Sequence, residues 1–155
     1  MKKRLEVPSV YVCGPLTDLL PHQQKSVKEI YVQIARLANR ITGVRGFVPH
    51  EHCDPKIHSY LQPEQVDRIE RDRISRNTSC LVALVIAPSW GGGIEIEIAY
   101  RSKVPCILLI KKGENASRLL RGNPGIVKII YYTSVKDALT QLAGALKIHK
   151  KSFFR

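Results

Sequence analysis

Two carboxylates stand behind three consecutive glycines in the stretch SWGGGIEIEIAY, Ser89 to Tyr100. The glycines follow an apolar run and precede a helical pattern. Such a passage from strand to helix lets backbone N–H groups approach an anion at the helix N-terminus, with no side chains in the way. The run is not a Walker loop, because the Gly-Lys-Ser/Thr ending is missing, and it is not G-x-G-x-x-G. Taken alone it also reads as a tight turn. Glu95 and Glu97, two residues apart on a helix, point about 200° from one another. One of them therefore faces the strand ends, and the other faces solvent or a neighbour. A carboxylate in a first helical turn also gains about 0.3–1 kcal/mol from the helix dipole, so spacing alone leaves chemistry and helix stabilisation equally open.

A second group with chemical potential is HEHCD, residues 50–54, followed by His58. It offers several metal-ligand types in one loop, but no second ligand cluster accompanies it and zinc motifs use other spacings. The expectation is no metal and no cofactor. Cys13, Cys53, Cys80 and Cys106 form no C-x-x-C pair, and three of them lie in or beside apolar runs. They read as reduced thiols in a cytoplasmic protein. The N-terminus carries basic residues without the apolar region of a signal peptide, and no apolar run reaches membrane-spanning length.

The elements that must position these residues alternate between strand and helix. Residues 7–14 read as a strand ended by Gly14-Pro15, and 22–42 as an amphipathic helix. A short strand is expected near 44–48, a helix over 63–77 and a doubly covered strand over 80–88. A helix from about 93 to 102, a strand over 104–110, a strand over 126–132 and a closing helix begun by Ser134 complete the pattern. The reading is a five-stranded parallel sheet, doubly wound, in a flavodoxin-like three-layer α/β/α fold. One domain spans 1–155, with a basic tail from about 148. Ligands of such sheets bind beyond the carboxyl ends of the strands, and the glycine run and HEHCD both fall there. The 25 Lys and Arg against 13 Asp and Glu leave a charge of +12, which attracts anionic partners.

Four segments, in order, resemble the nucleoside 2-deoxyribosyltransferase superfamily and its nucleotide N-glycosidase branch. They are VYVCGPL (10–16), APSWGGGIEIEIAY (87–100), KVPCILL (103–109) and ASRLLRGNPG (116–125). The resemblance implies that Glu95 is the catalytic carboxylate and that Tyr11 sits in the pocket. It places Gly14, Ser89 and Gly91 on a 5'-phosphate, with Gly93 in the same glycine run. Ser117 matches a serine that reaches a neighbouring subunit's phosphate site, which implies a homodimer or larger homo-oligomer. The family's acidic residue that orients the sugar has Asp72 as its nearest counterpart here. The sequence departs from the family at Glu97, where glycine is usual, and at Ser79, where aspartate is usual. GPLT lacks the serine and arginine of one phosphate-binding branch, leaving Thr17 as the substitute. His50 is expected to line the base pocket.

Cleaving an N-glycosidic bond builds positive charge at C1', which a carboxylate attacks or stabilises. Glu95 takes that role in this reading, provided that it emerges into a cavity above the sheet. Asp72 holds a sugar hydroxyl or helps to protonate the leaving base, and Tyr11 bonds the carboxylate. The substrate is a nucleoside or its 5'-monophosphate, and the acceptor is water or a second base. The rival reading is a nucleotide- or nucleic-acid-binding module that keeps the fold without the catalysis, favoured by the charge and the departures. A protein handling NAD or ADP-ribose is a third reading.

Overall fold

The computed structural model describes residues 8–153. Strand β1 (Ser9–Cys13) leads into helix α1 (Pro21–Thr42), a short helix α2 (His50–Cys53) and helix α3 (Pro63–Asn77). Strand β2 (Thr78–Val85), α4 (Trp90–Arg101), β3 (Cys106–Lys111), the single turn α5 (Arg118–Arg121), β4 (Ile126–Tyr132) and α6 (Val135–Phe153) follow. Local chemistry sets the helix ends. Pro21 and Pro63 open α1 and α3, where a missing N–H costs nothing. The Gln23 and Gln65 side chains then accept the Leu20 and Gln62 amides at 3.0 and 2.8 Å. Helix α1 closes on Gly43, whose φ of 81° suits glycine and whose N–H reaches the Asn39 carbonyl.

The four strands pair in parallel in the order β1-β2-β3-β4. Alternate side chains divide between two cores. Val10, Val12, Val82, Leu84, Ile107 and Leu109 pack under α1 and α6. Tyr11, Cys13, Leu81, Ala83 and Leu108 face Ile74 of α3 and Ile96 and Ala99 of α4. Helices thus cover both faces, as the doubly wound reading requires.

The fifth strand is a correction. The segment expected at 44–48 contributes a single bridging residue, Phe47, beside β1. Phe47 donates to the Val10 carbonyl at 2.8 Å and accepts from the Val12 amide at 2.9 Å. Its neighbours have other commitments. The Gly46 amide bonds the Ala35 carbonyl of α1 at 3.1 Å, and a Cβ on Gly46 would lie 2.9 Å from the Ala35 Cα. Pro49 caps α2 two residues later. One pairing residue is all that remains, but it extends the sheet outside β1 and keeps the flavodoxin-like direction of winding.

The loop after α2 is tied to α1 by Asp54, which is 2% exposed and ion-paired to Lys28. Burial raises the Asp54 carboxyl, but the Lys28 ammonium and the Lys56 amide outweigh it and hold the group below its usual range. Asp54 thus has a structural commitment within HEHCD. Among the described residues no group of three or more His, Cys, Asp or Glu is placed to hold a metal ion, and no helix is long and apolar enough to cross a membrane.

Candidate active site

Helix α4 begins at Trp90, three residues earlier than the periodicity suggests, so the glycines lie inside its first turn. None of them has a positive φ, and the conformational reason for a glycine run does not apply. A Cβ on Gly91 or Gly93 would meet nothing within 4 Å, whereas one on Gly92 would meet the Ser89 side chain at 3.2 Å. Glycine inside a helix costs roughly 0.5–1 kcal/mol relative to alanine. What Gly91 and Gly93 provide for that cost is a bare stretch of backbone at the helix N-terminus. Ser89 caps the helix, its Oγ accepting the Gly92 amide at 3.0 Å and its carbonyl accepting Gly93 at 3.1 Å.

One turn on, Glu95 points inward with Gly92, Ile96 and Ala99 and is 8% exposed. Its Oε1 accepts the Tyr11 hydroxyl at 2.5 Å. Glu97 faces the other way, accepting Arg101 Nε at 2.9 Å and Asn123 Nδ2 at 3.0 Å. Glu97 therefore clamps α4 to the turn before β4 and does not crowd Glu95. Glu95 is set below the surface instead of standing in an open cleft, because Tyr11 and Cys13 on β1 and the first turn of α4 close around it. A groove of about 910 Å³ lies between α1 and α6, on the opposite face of the sheet, and no predicted site residue lines it.

Burial pushes the Glu95 carboxyl up, against the nearby Cys13 thiol and the Tyr11 hydrogen bond, which favour its charged form. Burial, together with the charges of Glu95 and Glu70, holds the Tyr11 hydroxyl far above its ordinary value, so Tyr11 serves as a donor and not as a base. Phe47 orients the Tyr11 ring. It stacks on Tyr11 at 5.4 Å between centroids and on His52 at 4.4 Å, and the Arg73 guanidinium lies 4.9 Å from its ring centre.

The structure does not bring Asp72 to this group. Asp72 is exposed on α3 and pairs with Arg76 at 3.4 Å. Ile74 is the buried residue of α3, and two residues of helix turn Asp72 about 200° from it. Glu70 lies one turn before Ile74 and is half-buried on the inward face. Burial first, then the charges of Glu95 and Asp67, raise it to about 7. Glu70 is therefore the second carboxylate within electrostatic reach of Glu95. The signal for it was the spacing Val66, Glu70, Ile74, which follows one helix face. Phe47 was also missed as a functional residue. The Gly46-Phe47 pair was visible only as part of a short strand.

Gly14 and Thr17 lie in the connection from β1 to α1, and Gly14 follows Cys13, whose thiol touches the Gly92 carbonyl in the first turn of α4. Thr17 is exposed. Gly14 is required by packing: a Cβ there would lie 2.3 Å from the Tyr31 hydroxyl and 2.9 Å from the Leu84 carbonyl. Tyr31 in turn donates to the Pro15 carbonyl at 2.7 Å, which fixes the loop. Gly14→Ala is expected to cost about 1–3 kcal/mol, lowering Tm by several degrees in a thermal melt. An unchanged Tm would mean that Tyr31 swings aside freely. His50 sits on α2 with its ring 6.1 Å from that of Tyr31, and its buried Nδ1 has no partner. Ser117 is exposed and caps α5 through the Leu120 amide at 3.5 Å, in the connection from β3 to β4.

No protein-family model matches the chain, and no curated protein sequence does. Solved structures do. A CMP N-glycosidase of Clostridium botulinum, BcmB, superposes with a TM-score of 0.63 at 22% identity, over 88% of this chain and 98% of that one. The solution structure of BlsM gives a TM-score of 0.70 at 22% identity, over 94% of this chain and 93% of that one. A 2-deoxyribosyltransferase of Bacillus psychrosaccharolyticus gives 0.57 at 18% identity, over 84% of this chain and 89% of that one. The fold is thus one also found in an N-glycosidase and in a 2-deoxyribosyltransferase.

Proposed function

We propose that the chain belongs to the nucleoside 2-deoxyribosyltransferase superfamily and breaks the N-glycosidic bond of a nucleoside or nucleoside 5'-monophosphate. The observation that supports the reading is the Glu95 carboxylate bonded by the Tyr11 hydroxyl at 2.5 Å beside a bare helix N-terminus; because Glu95 is buried and not open to a cavity, the reading requires the end of β1 and the first turn of α4 to part when substrate binds. In this reaction the bond between C1' and the base nitrogen breaks, and its electrons leave with the base. Glu95 stabilises the developing positive charge or forms an ester to C1', which water or a second base then opens. Tyr11 fixes the carboxylate oxygen that it bonds, and in this proposal the sugar meets the other oxygen once the site has opened. Glu70 replaces Asp72 as the second carboxylate. A carboxyl raised to about 7 is partly protonated at neutral pH and suits proton donation to the departing base or a hydrogen bond to a sugar hydroxyl.

The α4 N-terminus supplies the phosphate site in this proposal. The amides of Trp90 and Gly91 have no acceptor within their own helix, and Gly91 and Gly93 leave the approach clear. Ser89, which caps the helix, and Gly14, beside Cys13, are the residues that would border it, with Thr17 further along the same loop. Ser117, exposed on α5, is available to a second copy in a homo-oligomer. The four free cysteines suit a cytoplasmic setting.

The test is chromatographic detection of free base from a panel of deoxyribo- and ribonucleosides and their 5'-monophosphates, with and without a second base. Release from at least one substrate is expected, and exchange in the second condition identifies a transferase. A panel without release, together with tight nucleotide binding, supports the non-catalytic module. The charge of +12 favours that second reading, which also predicts a steep loss of nucleic-acid binding with salt.

A further inference from the structure

We propose that the first turn of α4, Trp90 to Gly93, is the gate over Glu95 and opens by unwinding at its three glycines. The seam to be opened runs between β1 and this turn, where the Cys13 thiol, 1% exposed, donates to the Gly92 carbonyl at 3.7 Å. The β1 side of the seam is fixed. Tyr11, Val12 and Cys13 pair with Leu81, Val82 and Ala83 of β2, and Phe47 bonds β1 from its other side. Gly14 is packed against the Tyr31 hydroxyl and the Leu84 carbonyl. The α4 side has no such anchors. Trp90 is 89% exposed and Ile94 54%, and a Cβ on Gly91 or Gly93 would meet nothing within 4 Å. Gly92 is the one buried residue among positions 90–94, and it has no side chain to bury. Helices in proteins are held chiefly by the packing of an inward face, and this turn presents no side chain to the core. What holds it, besides the thiol, is the Ser89 cap, whose Oγ and carbonyl accept the Gly92 and Gly93 amides at 3.0 and 3.1 Å.

The glycines make the opening easy. Glycine recovers more backbone freedom on unwinding than any other residue, and the closed turn uses that freedom nowhere, since none of the three has a positive φ. Segments with few buried apolar contacts open locally at free energies well below that of global unfolding. The motion stops at the next turn, where Ile96, Ile98 and Ala99 are buried and Glu97 is tied to Arg101 and Asn123. Unwinding therefore releases Gly92 from Cys13 and uncovers the pair of Glu95 and Tyr11 while the rest of α4 stays in place. The opening does not depend on the reaction proposed above, but its role in admitting a sugar does rest on that reading.

Thiol labelling of the native protein, read at each cysteine by peptide mass spectrometry, tests the gate. Cys13, Cys80 and Cys106 are all buried, but Cys13 is the one whose thiol touches the turn. Cys13 is expected to react at least about tenfold faster than the other two, which wait for larger openings. Its rate should scarcely change with urea below the unfolding transition, because a one-turn opening exposes little surface. The double variant Gly91→Ala, Gly93→Ala, with room for both methyl groups, should slow Cys13 labelling about 5–30-fold. Labelling of Cys13 no faster than that of Cys80 and Cys106 means that no local opening occurs. Labelling of Cys13 as fast in the double variant as in wild type means that β1 frays and α4 does not unwind. Either result overturns the inference, whether or not the protein releases base. With an active nucleoside that carries no 5'-phosphate for the methyl groups to obstruct, kcat/KM should fall by the same factor as the labelling rate, because only the open fraction binds. Slower labelling with an unchanged kcat/KM refutes the gate while leaving the proposed reaction intact.

Discussion

Glu95→Gln is expected to lower base release by about 10³-fold or more, the scale on which removing a nucleophile acts, without loss of folded protein. Glutamine keeps the shape and still accepts the Tyr11 hydroxyl that Glu95 accepts at 2.5 Å, but it has neither a charge for C1' nor an oxygen able to form the ester. The same variant should be more stable than wild type at alkaline pH. Burial raises the folded-state carboxyl above its unfolded value. The folded chain therefore binds more protons than the unfolded one between those two values, and wild-type stability falls as pH rises through that window. Glutamine is free of this loss, so the difference in urea midpoint between variant and wild type should widen from pH 5 to pH 8. A variant as active as wild type on every substrate would remove Glu95 from the chemistry.

Glu70→Gln has the second largest expected effect, a fall in base release of about 10²-fold, as for loss of a general acid. Release requires Glu95 charged and Glu70 protonated, so the wild-type rate should decline on the alkaline side with a midpoint near the Glu70 value of about 7. The variant should lose that decline. The two carboxylates feel one another, so the limbs belong to the pair. The Glu70 carboxyl is also raised in the folded state, and stability again falls as pH rises from the unfolded carboxylate range toward 7. Glu70→Gln should therefore gain on the order of 2 kcal/mol above neutrality, reduced from the full shift by partial exposure. Asp72→Asn is the control. It loses only an exposed pair with Arg76, and activity and stability should stay within about twofold and 0.5 kcal/mol of wild type. Reversed outcomes at 70 and 72 would restore Asp72 as the second carboxylate.

The sequence showed the alternation of strand and helix, because β2 and β3 are covered on both faces and are written as unbroken apolar runs. It also made Glu95 and Tyr11 candidates, through motifs in the order of a known family. It did not show that the 44–48 segment pairs through Phe47 alone, since that depends on Gly46 bonding α1, a tertiary contact without a local pattern. The glycine run was misplaced for a similar reason: three glycines read as a break, yet the Ser89 cap carries the helix through them. Asp72 was the nearest counterpart by place in the sequence, whereas helix rotation relative to Ile74 turns Glu70 inward and Asp72 outward. The depth of Glu95 cannot be read from spacing, because it depends on how closely β1 and α4 pack.

The central claim is that the Glu95 carboxylate meets an anomeric carbon, and the most direct measurement is a crystal structure of Glu95→Gln with a released-base substrate bound. The prediction places C1' about 3–3.5 Å from the side-chain oxygen of residue 95, the separation of a reactive pair, with the Tyr11 hydroxyl on the same side chain and the 5' end toward the start of α4. A sugar bound in the groove between α1 and α6, or one that leaves residue 95 sealed beneath Tyr11 and Cys13 with no contact to C1', would contradict it.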